Sequence, residues 1–213
     1  MLFCFFIGVF SVEYTLKSAY GRNWLLIFNH DLVNGQYFTD LNQTMLNFEV
    51  SRYSLFGLLN QKFKTSGYYE FLLEYPEIVG CNQWRQSLLP WEDTEVIGKQ
   101  AIGYTPINIS WTNNFWGGLV KSNNHYTQVY NSLTLLDGSA GNDYWYYSIG
   151  CVRPSTNWSP DIPGPSSRVK KAKLWLRLDN KYLLNLQSLP PSFSKKYCIL
   201  LLTSLLWLSK GDM

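Results

Sequence analysis

The strongest constraint on this chain is strict alternation in short runs that end at turn residues. In Lys171-Ala172-Lys173-Leu174-Trp175-Leu176-Arg177-Leu178, the residues Ala172, Leu174, Leu176 and Leu178 fall on one side of an extended strand. Lys171, Lys173, Trp175 and Arg177 fall on the other. A period of two belongs to a half-buried β-strand and not to a helix face. The run predicts a closing strand over residues 168–178 whose basic residues form the solvated face. Tyr69, Phe71, Leu73 and Tyr75 alternate with Glu70 and Glu74 in the same way before Pro76, which predicts a second half-buried strand carrying both carboxylates toward solvent.

Other stretches carry the same signature in weaker form. Asn23-Trp24-Leu25-Leu26-Ile27-Phe28 is a continuous apolar run of strand length, and Asn34-Gly35 behind it is a hairpin turn signal. Pro106 opens a run in which Ile107, Ile109 and Trp111 share one face and Asn108 takes the other with Ser110 and Thr112. In Phe115-Trp116-Gly117-Gly118-Leu119-Val120, the paired glycines predict a strand closely approached by another backbone or a ligand. A short helix capped by Ser51 is expected before residue 63. Residues 77–105 read as a long loop pinned by Trp84 and Trp91, and residues 151–167 as a Pro-, Ser- and Gly-rich surface loop. The fold class is therefore mainly β with minor helix: one antiparallel, sheet-based domain, fibrinogen C-terminal-like or a β-sandwich.

Composition agrees. At 213 residues with 46% hydrophobic and only 15% charged side chains, the chain can bury a sizeable core. Aromatics reach 17%, and Trp and Tyr suit half-buried pleated surfaces. A net charge of +3, without a basic stripe along a groove-sized element, argues against nucleic acid as a partner.

The ends differ from the middle. Residues 1–11 begin MLFCFFIGVF, with Val9 and Ser11 at the −3 and −1 positions of a signal-peptidase site. They are expected to be a secretory signal, a buried N-terminal strand being the other reading. Residues 181–213 are Leu- and Ser-rich, and their apolar run over 197–208 falls short of the roughly 20 residues that span a bilayer. This tail reads as a removed lipid-anchor signal, a packed terminal segment or a misplaced gene end, and any membrane attachment would run through such an anchor. Residues 12–180 remain as the recognition domain. Cys81 and Cys151 are its cysteines, either as one disulfide or as two free buried thiols. Asn42, Asn108 and Asn157 each head an Asn-x-Ser/Thr glycosylation sequon.

The chemistry concentrates at residues 135–150, LLDGSAGNDYWYYSIG. Asp137 and Asp143 bound a loop whose alternating oxygens suit calcium, although position twelve counted from Asp137 is Ser148 where an EF-hand needs Glu. The other reading is a turn that uses Asp, Asn and Gly for its geometry. Trp145, Tyr146 and Tyr147, with Trp116, offer flat apolar faces with polar tips of the kind that stack on sugar rings, or else they are core and rim packing. Enzyme signatures are missing: His30 and His125 are the only histidines, no nucleophile-elbow, zinc or phosphate-loop motif occurs, and Glu70 and Glu74 lie too far apart along a strand for a retaining glycosidase pair.

The order of these features resembles fibrinogen C-terminal (fibrinogen-related) domains and the related intelectin-type lectins. Asn23 to Phe28 is similar to the family's early Trp-led strand. Residues 54–62 followed by Gly67-Tyr68-Tyr69-Glu70-Phe71 are similar to its short helix and Gly-aromatic-Glu strand. Residues 137–143 followed by Tyr144-Trp145-Tyr146-Tyr147 are similar to its calcium loop and Trp-Trp-Tyr strand, and residues 169–177 to its closing strand. Arg22-Asn23 stands where the family has Gly-Gly, the loop has fewer Asp residues, and the family's cysteine beside the binding pocket has no counterpart. The resemblance implies extracellular recognition of acetylated or other glycans, or of protein partners. The expectation is a secreted or cell-surface, non-catalytic, lectin-like domain that takes glycans or surface glycoproteins as partners. A structural or adhesive protein is the alternative and a secreted hydrolase the remote one.

Overall fold

The computed structural model describes residues 15–32, 38, 52–93, 100–111, 116–121, 135–139, 147–150, 162–163, 168–180 and 182. It is mainly β, with antiparallel sheets and, among the described residues, no helix of seven residues or more. The principal sheet has seven strands. Across it run β1 (Leu16–Ala19), β2 (Arg22–Asp31), β11 (Lys171–Leu178), β4 (Tyr69–Glu74), β5 (Asn82–Gln86) and β6 (Thr105–Ile109), and β3 (Arg52–Ser54) shares the outer edge of β2 with β1. The last long strand in the sequence is thus inserted between β2 and β4. A second sheet pairs β7 (Trp116–Lys121) with β8 (Leu136–Ser139), and a third pairs β9 (Ile162–Pro163) with β10 (Arg168–Val169).

Register assigns the faces, because residues directly opposite each other in an antiparallel pair share a face. Leu25, Leu176, Phe71 and Trp84 form one such row, and Phe28, Leu174, Leu73 and Asn82 the next. This apolar face packs on the second sheet: the Trp84 ring meets Trp116 edge-on at 4.9 Å, and Trp116 meets Tyr147 at 5.1 Å. Phe28 stacks on Phe38 and Phe56 at the other end of the same face. One amide joins the two sheets. Gln86 accepts from Trp84 Nε1 (2.7 Å) and Leu119 N (3.1 Å) and donates to the carbonyls of Leu88 and Leu119 (both 2.8 Å). Two donors and two lone pairs are all a glutamine amide has, so nothing on it is left unsatisfied.

The opposite face is partly covered as well, because the sheet curls. Lys17 on β1 and Glu74 on β4 stand three strand spacings apart, about 14 Å across a flat sheet. Yet Lys17 Nζ lies 2.5 Å from Glu74 Oε1 and 4.3 Å above the Trp175 ring. Tyr20, in the two-residue turn between β1 and β2, reaches further still, to Cys81 beside β5. Both Tyr20 (φ 55°) and Gly21 (φ 69°) adopt the left-handed region that the tightest hairpin turns require.

Several expectations are corrected here. The predicted short helix is two 3₁₀ turns, Phe56–Leu58 and Gln61–Phe63, and Asn60 caps the second by accepting from Lys62 N. The expected loop over 77–105 contains β5. Its residues lack apolar alternation, but buried amides of Asn82, Gln83 and Gln86 serve its pairing and packing. Trp91, expected to pin that stretch, stacks on Phe56 at 4.4 Å. The closing strand over 168–178 is two strands in separate sheets, with Lys170 between them. Ile107 is the extra residue of a bulge in β6, since Pro106 opposes Trp84 and Asn108 opposes Gln83. It is 40% exposed instead of sharing a buried face with Trp111. The partner of the paired glycines is the chain itself: a Cβ on Gly118 would stand 2.9 Å from Ala101 Cβ, and Ala101 N donates to Gly117 O. The Asn34-Gly35 turn, residues 1–14 and the tail beyond 182 lie outside the described residues.

Candidate functional site

Titratable side chains converge on the curled face of the large sheet. Glu70, only 8% exposed, accepts from Arg22 Nη1 on β2 (2.7 Å), Arg177 Nη1 on β11 (2.8 Å) and Gln83 Nε2 on β5 (3.4 Å). Glu74 takes Lys17 on one oxygen and Trp175 Nε1 on the other, at 2.5 and 2.7 Å. Lys171 pairs with Asp31 at 3.1 Å further along. The carboxylates and basic residues read from alternation as a solvated face are therefore a paired lattice. The correction has a physical cause: the curl brings β1 and its turn over this face, and a carboxylate withdrawn from water needs cationic partners.

One row crosses this face in register. Arg177 lies opposite Trp24, Glu70 opposite Arg85, and Arg85 opposite Thr105, with the Arg177–Glu70 ion pair joining the two halves. Arg85 is exposed, and its guanidinium lies 4.7 Å from the centroid of the Tyr68 ring. Arg22 and Arg177 keep about a third of their side chains open to solvent (29% and 31%). The result is a partly open band of guanidiniums beside one aromatic ring, backed by a carboxylate that holds two of them in place. Nothing in the sequence marked Arg22, Arg85 or Tyr68 as binding residues. The available signal was Arg85 inside a run of amides and a tryptophan, a composition poor for a loop tip and good for a polar strand face.

A second cluster lies at the Cys81 end. Cys81 is a buried free thiol whose Sγ lies within hydrogen-bond distance of Tyr20 Oη, at 3.4 Å. The hydrogen bond that the phenol shares with this sulfur and the charge on Cys81, with burial and the Glu74 charge adding to them, push the Tyr20 phenol up to about 12. Burial drives the Tyr69 phenol up as well, and the Glu92 carboxylate adds to the effect.

The residues expected to bind ligand divide. Trp116 is 6% exposed and Tyr147 fully buried, each occupying a ring of the other, and among the described residues Trp116 Nε1–H meets no acceptor. These two rings are core, so no sugar can stack on them. Trp145 and Tyr146 lie outside the described residues. Asp137 is not the first residue of a loop: Asp137 and Gly138 belong to β8, opposite β7, and Asp137 is buried. The strand forms because Gly138 lets the Trp116 ring lie against the β8 backbone, where a Cβ would stand 2.3 Å from Trp116 Cζ3. Asp143 lies outside the described residues, among which no group of three His, Cys, Asp or Glu side chains could hold a metal. Cys151, the other half of the disulfide reading, is outside them too, as are Asn42 and Asn157. Asn108 is exposed on the edge strand β6, on the solvent side expected for that sequon. Also among the described residues, no helix is long and apolar enough to cross a membrane.

Comparison of the chain with protein-family models, with curated proteins and with solved structures finds no match.

Proposed function

We propose that this is a secreted or cell-surface recognition domain that binds glycans without catalysis, using the guanidinium band on the curled face of the large sheet. The observation that carries the reading is the pairing of Glu70 and Glu74. Glu70 and Glu74 are tied to Arg22, Arg177, Lys17 and Trp175, while Arg85, Tyr68 and the open parts of Arg22 and Arg177 face solvent. Fixed planar donors beside an aromatic ring recognise polar rings and are not poised to move protons. The resemblance to fibrinogen-related domains points the same way, and the exposed Asn108 sequon suits an extracellular chain.

The test is a glycan array probed with the full chain, with millimolar calcium and again with chelator. Binding to a defined subset of sugars is expected, and silence across the array refutes the reading. Loss of binding in chelator would assign calcium a role through Asp143 and its neighbours; binding indifferent to chelator removes the metal and leaves the band.

The alternative, an adhesive protein that binds protein partners, draws on one feature. The edge strand β6 presents exposed Ile107, and Ile102 and Val79 are also open to solvent. Concentration-dependent self-association together with a silent array would select it.

A further inference from the structure

The recognition reading leaves the chemistry of the ligand open, and the hydrogen-bond inventory of the band narrows it. A neutral sugar hydroxyl both donates and accepts, so sites for neutral sugars present acceptors as well as donors. Here three of the four acceptor sites of Glu70 are taken: Oε1 receives Arg22 and Gln83, and Oε2 receives Arg177. Guanidinium groups have five N–H donors each and no acceptor. Arg22 and Arg177 each give one nitrogen to Glu70. Among the described residues, Arg85 makes no ion pair, and its guanidinium is held only against the Tyr68 ring. Three guanidiniums against one carboxylate leave two formal positive charges on the band. The surface is therefore rich in unspent donors, positively charged, and partly dehydrated on the side facing Glu70.

We propose, resting on the recognition reading above, that the ligand is an acidic glycan whose sulfate or carboxylate groups are held by Arg85, Arg22 and Arg177, with Tyr68 beside them. A planar guanidinium fork matches an anionic oxygen pair in a bidentate fashion. The stack of Arg85 on Tyr68 fixes its plane in advance and lowers the ordering cost of binding. Glu70 acts as a positioning residue: it orients Arg22 and Arg177 and does not itself face the ligand.

The experiment measures calorimetric affinities of the full chain at physiological salt for four probes: a heparin-derived hexasaccharide, a hyaluronan hexasaccharide, chitohexaose and hexauridylate. The first two, sulfated and carboxylated, distinguish the two sources of negative charge. At least one should bind about tenfold or more tighter than neutral chitohexaose, a difference of about 1.4 kcal/mol. Arg85→Ala should weaken that acidic sugar about fivefold or more. Arg85 is exposed, so the variant keeps its fold, which its melting temperature verifies. Lys62→Ala, an exposed cation outside the band, should change affinity less than about twofold. Equal binding of chitohexaose, equal loss in Lys62→Ala, or hexauridylate binding as tightly as either acidic sugar overturns the proposal. Chitohexaose binding as tight as either acidic sugar's and unchanged in Arg85→Ala overturns it while leaving glycan recognition standing; failure of all three sugars overturns both.

Discussion

Gly138→Ala separates a strand from a metal loop in one substitution. In an exposed calcium loop, an added methyl at this position would meet solvent. In β8 it would stand 2.3 Å from Trp116 Cζ3, 2.9 Å from Cε3 and 3.0 Å from Gly118 O. Carbon atoms in contact sit about 3.5–4 Å apart, so the indole would have to retreat by about 1.2 Å or more. Its retreat is blocked, because Trp84 stands edge-on at 4.9 Å and Tyr147 at 5.1 Å. Overpacking of a filled core costs about 1–3 kcal/mol, and the rigidity of three interlocked rings puts this case at the top, about 3 kcal/mol. With a urea m-value of about 2–3 kcal/mol/M, the midpoint should fall by about 1–1.5 M. Trp116→Leu in the same chain removes the ring the methyl strikes. The double variant should therefore be more stable than the sum of its parts by about 1–2 kcal/mol. A Gly138→Ala midpoint within about 0.2 M of the parent, equivalent to about 0.5 kcal/mol, would refute the placement of Gly138 against Trp116.

Gln86→Leu should cost about 4 kcal/mol, among the largest single losses, because it orphans Trp84 Nε1–H, Leu119 N–H and the Leu88 and Leu119 carbonyls together; urea denaturation measures it. Glu70→Gln should destabilise by about 2 kcal/mol in the same assay, below the range for a fully buried pair because both arginines remain partly open, whereas Glu77→Gln on the exposed turn should cost much less. Burial holds the Tyr104 phenol up at about 12, above its unfolded value of about 10. The folded state then keeps a proton that the unfolded state releases, so this contribution is whole below pH 10 and is lost as pH rises through 12. Thermal melts from pH 9 to 12 should show that decline, and Tyr104→Phe should flatten part of it.

The alternating runs were legible because their information is local. Tyr69 to Tyr75 and Lys171 to Leu178 state a period of two in their own residues, and any sheet that accepts them places their apolar sides inward. The mainly β, antiparallel class follows from such runs and from turn signals alone. Local patterns say nothing about what lies on the far side of a strand. Glu70 looked solvated because no residue near it in sequence could neutralise it. Its partners come from Arg22 and Arg177, at opposite ends of the domain, and only the insertion of β11 between β2 and β4 and the curl of β1 bring them together. Similarly, Asn82-Gln83-Trp84-Arg85-Gln86 has no apolar period. It is a strand because β4 and β6 flank it, and its buried amides find partners on β7 (Gln86), on β4 (Gln83) and at Trp111 (Asn82). Asp137-Gly138 has turn composition, yet it pairs with β7, where a glycine lets a tryptophan from the neighbouring strand approach its backbone closely. The sequence by itself determined that the alternating runs extend and which of their sides are oily. The tertiary structure decided which charges are buried, which rings are core and which guanidiniums remain open, because burial is a property of neighbours and most of these neighbours are distant in the chain.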